Sequence, residues 1–392
     1  MLRCILLFVF RTLPFVMKQH QVILSIGSNQ GNRLYHIENG INLIHKKVAT
    51  VVKTSKLYET PSWGFQGEAF YNCAILVHTY KKAEEILREL LEIERESGRI
   101  RLESEGYQSR TLDIDIIAFD DQIIETQILQ IPHPRMQERL FVLQPLKDIF
   151  PDYTHPKTKK TIRQLVQDCQ DSGEFKVVSE LKNPLENYRF TQFNHLVIEG
   201  NIGAGKTTLA TKISEDFNAK LLLEGFADNP FLPMFYEDQT RYAFPLEMSF
   251  LADRYQQLSD DLTQLDLFKS FTVTDYYIFK SLIFSRVTLE EEEYRLYQKI
   301  FDIMYKEIPK PDLYIYMYQE TEQLLQNIRK RGRSYEQEIP SDYLEKINQG
   351  YLDYLRQQKD LNVLILDVSD KDFVAHQEDY LWILEWIANA IN

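Results

Sequence analysis

HLVIEGNIGAGKTTLATKISEDF, residues 195–217, reads as a buried strand, a glycine-rich turn and a helix in unbroken succession. The spacing Gly200-Asn201-Ile202-Gly203-Ala204-Gly205-Lys206-Thr207 is that of a phosphate-binding loop, and it lies where such a loop works, after a strand and before a helix. Glycines let backbone N–H groups turn inward around phosphate oxygens, and the N-terminus of the following helix adds positive potential. Lys206 supplies a point charge for the β- and γ-phosphates and Thr207 a hydroxyl for Mg2+. Nucleotide binding follows from this pattern, but the reaction does not.

Downstream, FTVTDY, DLYIYMY and NVLILDV are short apolar strands separated by long helical runs, as a parallel sheet covered on both faces requires. Residues 193–392 are therefore expected to form an α/β domain. Upstream the pattern differs. VILSIG from Val22, VVKTSKLYET, NCAILVHTY and LDIDIIAF read as strands, a helix runs to about Ile44, AEEILRELLEIERESG is amphipathic and stopped by Gly98, and a last helix lies near TIRQLVQDC. Helices interspersed among these strands suggest a mixed sheet with helices on one face over residues 21–169. Periodicity fades over residues 170–192, where Asp171, Ser172, Gly173, Asn183 and Pro184 mark turns, so a linker is expected there. With 392 residues, two domains are the default expectation.

The formal net charge of -13 argues against a nucleic-acid partner, which is normally met by a basic face. Any anionic ligand must be held by local positive charge. Cys4, Cys73 and Cys169 are odd in number and widely spaced, which fits a reducing, cytoplasmic setting and no disulfide framework. The apolar run Ile5–Phe10 is interrupted by Arg11 and is too short to span a membrane, so residues 1–20 are expected to be an extension, with Met17 a candidate start.

In the first half the chemistry concentrates in Arg110-Thr111-Leu112-Asp113-Ile114-Asp115-Ile116-Ile117. Period-two geometry puts Asp113 and Asp115 on one face of a strand. Two carboxylates so close repel unless a cation sits between them, and hard Mg2+ with phosphate ligands is the natural occupant. A half-exposed edge strand with solvated acids reads equally well on spacing alone.

Five segments shift that balance: SIGSN, YETPSWG with AFYN, GRIR, SRTLDIDII and PHPRMQERLF. Their order resembles 6-hydroxymethyl-7,8-dihydropterin pyrophosphokinase. The resemblance implies an α+β, ferredoxin-like sheet with helices, and pyrophosphoryl transfer from ATP to the hydroxymethyl dihydropterin with AMP released. It implies Mg2+ at Asp113 and Asp115, a pterin pocket of Thr60, Pro61, Asn72, Tyr107 and Phe141, catalytic Arg99 and Arg101, and ATP contacts from Arg110, His133 and Arg139.

The second half carries, after the loop, Glu224, Tyr236 in MFYED, Glu247 in FPLEMSFLADRY, Asp275 in TVTDYYIF and the basic stretch IRKRGRSYE. This order resembles the deoxynucleoside kinases, particularly bacterial purine-preferring members, and implies a P-loop kinase fold with ATP contacts from Gly200 to Thr208. Glu224 would be the general base on the sugar 5'-hydroxyl and Lys206 the catalytic cation. Tyr236 and Glu336 would hold the 3'-hydroxyl, Glu247 and Asp275 would face the nucleoside, and Arg331 and Arg333 would close over the phosphates. Two positions depart from the pattern: Glu247 replaces the usual glutamine, which tilts the reading toward deoxyguanosine, and Tyr276 replaces the arginine after Asp275. The expected whole is a bifunctional transferase acting on a dihydropterin and a purine deoxynucleoside, with neither membrane nor nucleic acid involved and a homodimer formed through the kinase domain. The alternative is an active pterin domain fused to a degenerate or regulatory nucleotide-binding module.

Overall fold

The computed structural model describes residues 18–62, 67–99, 109–171, 173–225, 229–264, 266–333 and 336–390. The extension expected before Met17, Met17 itself, Arg101 and Tyr107 lie outside the described residues.

The most apolar runs of the first half become its central strands. In chain order the elements are β1 (His20–Ser28), α1 (Arg33–Leu43), β2 (Thr50–Thr54), β3 (Lys56–Thr60), β4 (Phe70–Thr79), α2 (Ala83–Glu96), β5 (Asp113–Phe119), the short pair β6 (Ile124–Glu125) and β7 (Gln130–Ile131), α3 (Leu140–Ile149), α4 (Ile162–Asp168) and β8 (Lys176–Glu180). The main sheet runs β5-β1-β4-β3-β8, with β2 also on β4, and every pairing is antiparallel. The expected mixed sheet with one covered face is thereby corrected. Val22, Leu24 and Ile26 pack on α1 and α2, whereas Ile23, Ala74 and Leu76 pack on α3 and α4. Successive residues point to opposite faces, so a strand apolar at every position demands cover on both.

The stretch expected as a linker holds β8, which pairs antiparallel with β3, followed by 3-10 turns at Pro184–Tyr188 and Phe190–Gln192. Leu181, Leu185 and Phe190 are buried along it. A weak sequence period hid a short strand whose exposed Val177 and Val178 face away from any core.

The second half comprises β9 (His195–Gly200), α5 (Lys206–Asp216), β10 (Lys220–Leu222), α6 (Phe231–Glu237), α7 (Gln239–Thr263), β11 (Thr272–Thr274), α8 (Phe279–Thr288), α9 (Glu291–Tyr305), β12 (Leu313–Tyr318), α10 (Thr321–Arg331), α11 (Ser341–Gln357), β13 (Val363–Asp367) and α12 (Gln377–Asn389). Its sheet, β10-β11-β9-β12-β13, is wholly parallel. One face packs on α5, α10 and α12 and the other on α7, α8, α9 and α11. In such a sheet ligands collect beyond the carboxyl ends of the strands, where the glycine-rich loop leaves β9.

The halves meet at the far end of α5. Asp216 Oδ1 lies 2.8 Å from Nδ1 of His78, at the end of β4, while Asp216 Oδ2 accepts from the Tyr380 hydroxyl at 2.8 Å. The Lys212 ammonium sits 4.1 Å from the Tyr380 ring centroid and 5.0 Å from that of Tyr80. Gln377 donates at 3.1 Å to both the His45 carbonyl and the Thr50 hydroxyl. His78, Lys212, Asp216, Gln377 and Tyr380 are all buried. Burial pushes the Asp216 carboxyl up, but Lys212 and the bonds from His78 and Tyr380 outweigh it and leave it below the ordinary aspartate range. Among the described residues no helix is long and apolar enough to cross a membrane.

Candidate active sites

β5 delivers Asp113 and Asp115 to one face, in register with Gly27 and Ser25 of β1. They line a cavity of about 220 Å³ together with Thr60, Pro61, Asn72, Arg110, His133, Arg139 and Phe141. Arg99 stands at its edge, with Nη1 2.6 Å from Asp113 Oδ1, and Arg110 pairs with the other Asp113 oxygen. Burial, then the neighbouring Asp113, raises the Asp115 carboxyl above its ordinary range, against the pull of Arg139 and Arg110. Two hard-oxygen donors that repel each other fit a divalent cation. Among the described residues no group of three or more His, Cys, Asp and Glu could hold a metal, so phosphate and water would supply the other ligands. His133 is pulled down to about 4 by burial and then by Arg139, which keeps its imidazole neutral at pH 7.

The pocket wall opposite is organic in character. Asn72 Nδ2 donates to Thr60 Oγ1 at 2.7 Å, which turns the amide into the cavity's floor, and the Arg139 guanidinium lies 5.6 Å from the Phe141 ring centroid. Ser25, Gly27 and Phe70 also line the cavity and were not singled out from the sequence. Gly27 had a signal in SIGSN: a Cβ there would stand 3.0 Å from Asn72 Oδ1.

In the second half the loop needs its glycines. Gly203 and Gly205 adopt φ of +85° and +84°, and a Cβ on Gly203 would meet the Leu324 carbonyl at 2.9 Å. Ala204 is buried under the loop, and Asn201 ties it down by donating to the Leu344 carbonyl and Asn348 Oδ1, both at 2.8 Å. Lys206 folds back onto the Asn201 carbonyl at 2.9 Å; burial and then Lys280 lower its affinity for its proton. Thr207 Oγ1 donates to Asp275 Oδ2 at 2.5 Å, so Asp275, expected to face the nucleoside, stands beside the hydroxyl that suits Mg2+. Asp275 Oδ1 accepts from the Glu224 backbone at 2.8 Å. Ile202 and Thr208 complete the turn and the first turn of α5.

Glu224 is gripped at both oxygens. Arg254 donates to Oε1 through Nε at 2.9 Å and Nη2 at 2.7 Å, and Lys280 reaches Oε2 at 2.5 Å. These cations overcome burial and hold the carboxyl far below the ordinary glutamate range. Neither was singled out from the sequence. Arg254 sits in the segment FLADRYQQL of α7, whose Leu251 and Leu258 are buried. Glu247 is also buried; Oε1 accepts from Thr288 at 3.0 Å, and Oε2 has no partner among the described residues. Burial pushes its carboxyl up to about 7, against the pull of Arg254. The Tyr276 ring is fully buried in the core that holds Leu251 and Phe279. Arg331 and Arg333 both pair with Glu336, the latter at 3.1 Å. Tyr236 is on α6, and its side chain lies outside the described residues.

Residues 196–392 match the deoxynucleoside kinase family, and residues 23–151 match the 7,8-dihydro-6-hydroxymethylpterin-pyrophosphokinase family. The chain is 38% identical over 189 residues to deoxyguanosine kinase of Bacillus subtilis (strain 168), covering 47% of this chain and 91% of that protein. It is 42% identical over 128 residues to the 2-amino-4-hydroxy-6-hydroxymethyldihydropteridine pyrophosphokinase of the same organism, covering 32% of this chain and 75% of that protein. It is also 41% identical over 151 residues to the folic acid synthesis protein fol1 of Pneumocystis carinii, covering 38% of this chain and only 20% of that protein. The chain thus belongs to both families, as a fusion of a 7,8-dihydro-6-hydroxymethylpterin-pyrophosphokinase domain with a deoxynucleoside kinase domain.

Proposed function

We propose that both domains are active: the first transfers pyrophosphate from ATP to 6-hydroxymethyl-7,8-dihydropterin, and the second phosphorylates a purine deoxynucleoside, foremost deoxyguanosine, at its 5'-hydroxyl. The observation that carries the reading is the pairing, in each domain, of phosphate-binding charge with an acceptor pocket: Asp113 and Asp115 beside Asn72 and Phe141, and Lys206 and Thr207 beside Glu224.

In the first site Asp113 and Asp115 would hold Mg2+, which would supply positive charge against the ATP phosphates. Phe141 stacks on the pterin ring and Asn72 pairs with its amide edge. Arg99 and Arg110, which pair with Asp113, would turn to the phosphates. Arg139 and neutral His133 bound the ATP side. The pterin hydroxymethyl oxygen attacks the β-phosphorus and AMP leaves.

In the second site Thr207 and Asp275 would hold Mg2+, Glu224 takes the 5'-hydroxyl proton, and Arg331 and Arg333 leave Glu336 for the phosphates while Glu336 and Tyr236 turn to the 3'-hydroxyl. Glu247 supports the guanine preference. Ionised, it accepts from the N1–H and N2–H donors; protonated, it pairs with O6 and N1–H, whereas adenine is matched only by the protonated form. The name of the Bacillus subtilis relative points the same way. A cytoplasmic homodimer formed through the kinase domain belongs to this reading.

The test incubates the purified chain with MgATP and either the hydroxymethyl dihydropterin or each deoxynucleoside, and separates AMP from ADP. AMP formed only with the pterin and ADP only with a purine deoxynucleoside is the expected result. ADP formation with no deoxynucleoside at all overturns the second activity.

A further inference from the structure

Glu224 is gripped by one arginine and one lysine. Arg254 spends Nε and Nη2 on Glu224 Oε1, and its Nη1 donates to Ser281 Oγ at 2.6 Å, so each of its three nitrogens is engaged in orientation. Among the described residues Lys280 makes one hydrogen bond, to Glu224 Oε2 at 2.5 Å, and it lies 5.5 Å from the Phe284 ring centroid. An ammonium has three donors, and this one keeps capacity beyond that contact. Lys280 thus stands beside the carboxylate that takes the hydroxyl proton on the kinase reading, and the backbone N–H of Glu224 is tied through Asp275 to Thr207 at the start of α5. The residue following Asp275, where a cation would serve the same space, is Tyr276, sealed in the core.

We propose that Lys280 is the cation that faces the phosphoryl group as it passes from ATP to the deoxynucleoside hydroxyl, leaving Arg254 to position Glu224. The proposal rests on the kinase reading above. In the step, a bond forms between the 5'-oxygen and the γ-phosphorus, the bond from that phosphorus to the β,γ-bridging oxygen breaks, the hydroxyl proton passes to Glu224, and ADP leaves. Charge on the equatorial oxygens of the moving group falls between Lys206 and Lys280, and Lys280 reaches it by swinging from Glu224 Oε2 as that oxygen takes up the proton.

The experiment measures kcat and KM for deoxyguanosine and for ATP in the wild-type chain and in Lys280→Met, Lys280→Gln and Lys280→Arg. The pterin-dependent release of AMP by each variant and its thermal melt report folding. Loss of one such donor is expected to lower kcat by roughly 100- to 1000-fold while KM for deoxyguanosine moves by less than about threefold. Lys280→Arg, which keeps the charge, should recover at least about a tenth of wild-type kcat. If Lys280→Met misfolds, Lys280→Gln decides. The proposal is overturned if folded Lys280→Met or Lys280→Gln keeps kcat within about threefold of wild type, if the loss lies in KM alone, or if Lys280→Arg is as slow as Lys280→Gln. A wild-type chain that phosphorylates no deoxynucleoside fails the kinase reading instead, and is told apart because no variant comparison then arises.

Discussion

The two phosphate sites are built with opposite charge. The first presents a pair of carboxylates on one strand, with arginines folded onto them, and becomes attractive to a polyphosphate only when divalent cations arrive. The second presents a glycine-rich loop carrying Lys206, and a glutamate gripped by one lysine and one arginine. On the proposed function the first site would need a metal ion to bind its nucleotide, whereas the second carries phosphate-binding cations of its own. Their difference also separates two reactions on one co-substrate, because the group that fixes ATP decides which phosphorus faces the acceptor.

The widest break in that comparison comes from removing each site's defining charge. Asp113→Asn should abolish AMP formation and leave ADP formation intact, and Lys206→Ala should do the reverse. Each loss should exceed about 1000-fold in chromatographic assays of the two products. A variant that silenced both reactions would show the sites to be one functional unit.

Next in size is the junction. Asp216→Ala removes the partner of His78 and Tyr380 and strands buried Lys212, so it should cost about 3–5 kcal/mol in a denaturant melt. Because the folded-state carboxyl lies below its ordinary value, Asp216 contributes stability that is present above about pH 4 and lost as pH falls below that. The variant should show a correspondingly shallower acid limb.

Glu247 sharpens the comparison within the second site. Its raised carboxyl, faced by Arg254, Lys280, Glu224 and Tyr297, binds a proton in the folded chain that the unfolded chain has released between pH 4.5 and about 7. Stability therefore falls as pH rises through that window. Glu247→Gln should gain on the order of 1–3 kcal/mol at pH 8 and nothing at pH 4, read from melts at the two pH values. The smallest effect is on selectivity: the ratio of deoxyadenosine to deoxyguanosine turnover should drop roughly tenfold from pH 6 to pH 8, and the variant should abolish that dependence.

Local pattern made the core of each site legible. The alternation of Asp113 and Asp115 along β5 and the glycine spacing before Lys206 depend on neighbours in the chain, and both could be read directly. Arg254 and Lys280 could not, because what makes them part of the site is a fold that brings α7 and α8 to the end of β10. Lys280 stands in an apolar run where a lysine is costly, and that cost was the signal. The cover on both faces of the first sheet was written in the unbroken apolar runs of β1 and β4, but α3 and α4, which supply the second cover, carry too short a period to declare it.

α5 carries the phosphate-binding lysine at its first residue and Asp216 at its last, about 16 Å away. Its far end is a hinge pin driven into the other domain. A chain cut between the halves would strip Asp216 of its His78 partner and leave the P-loop helix no longer braced from behind.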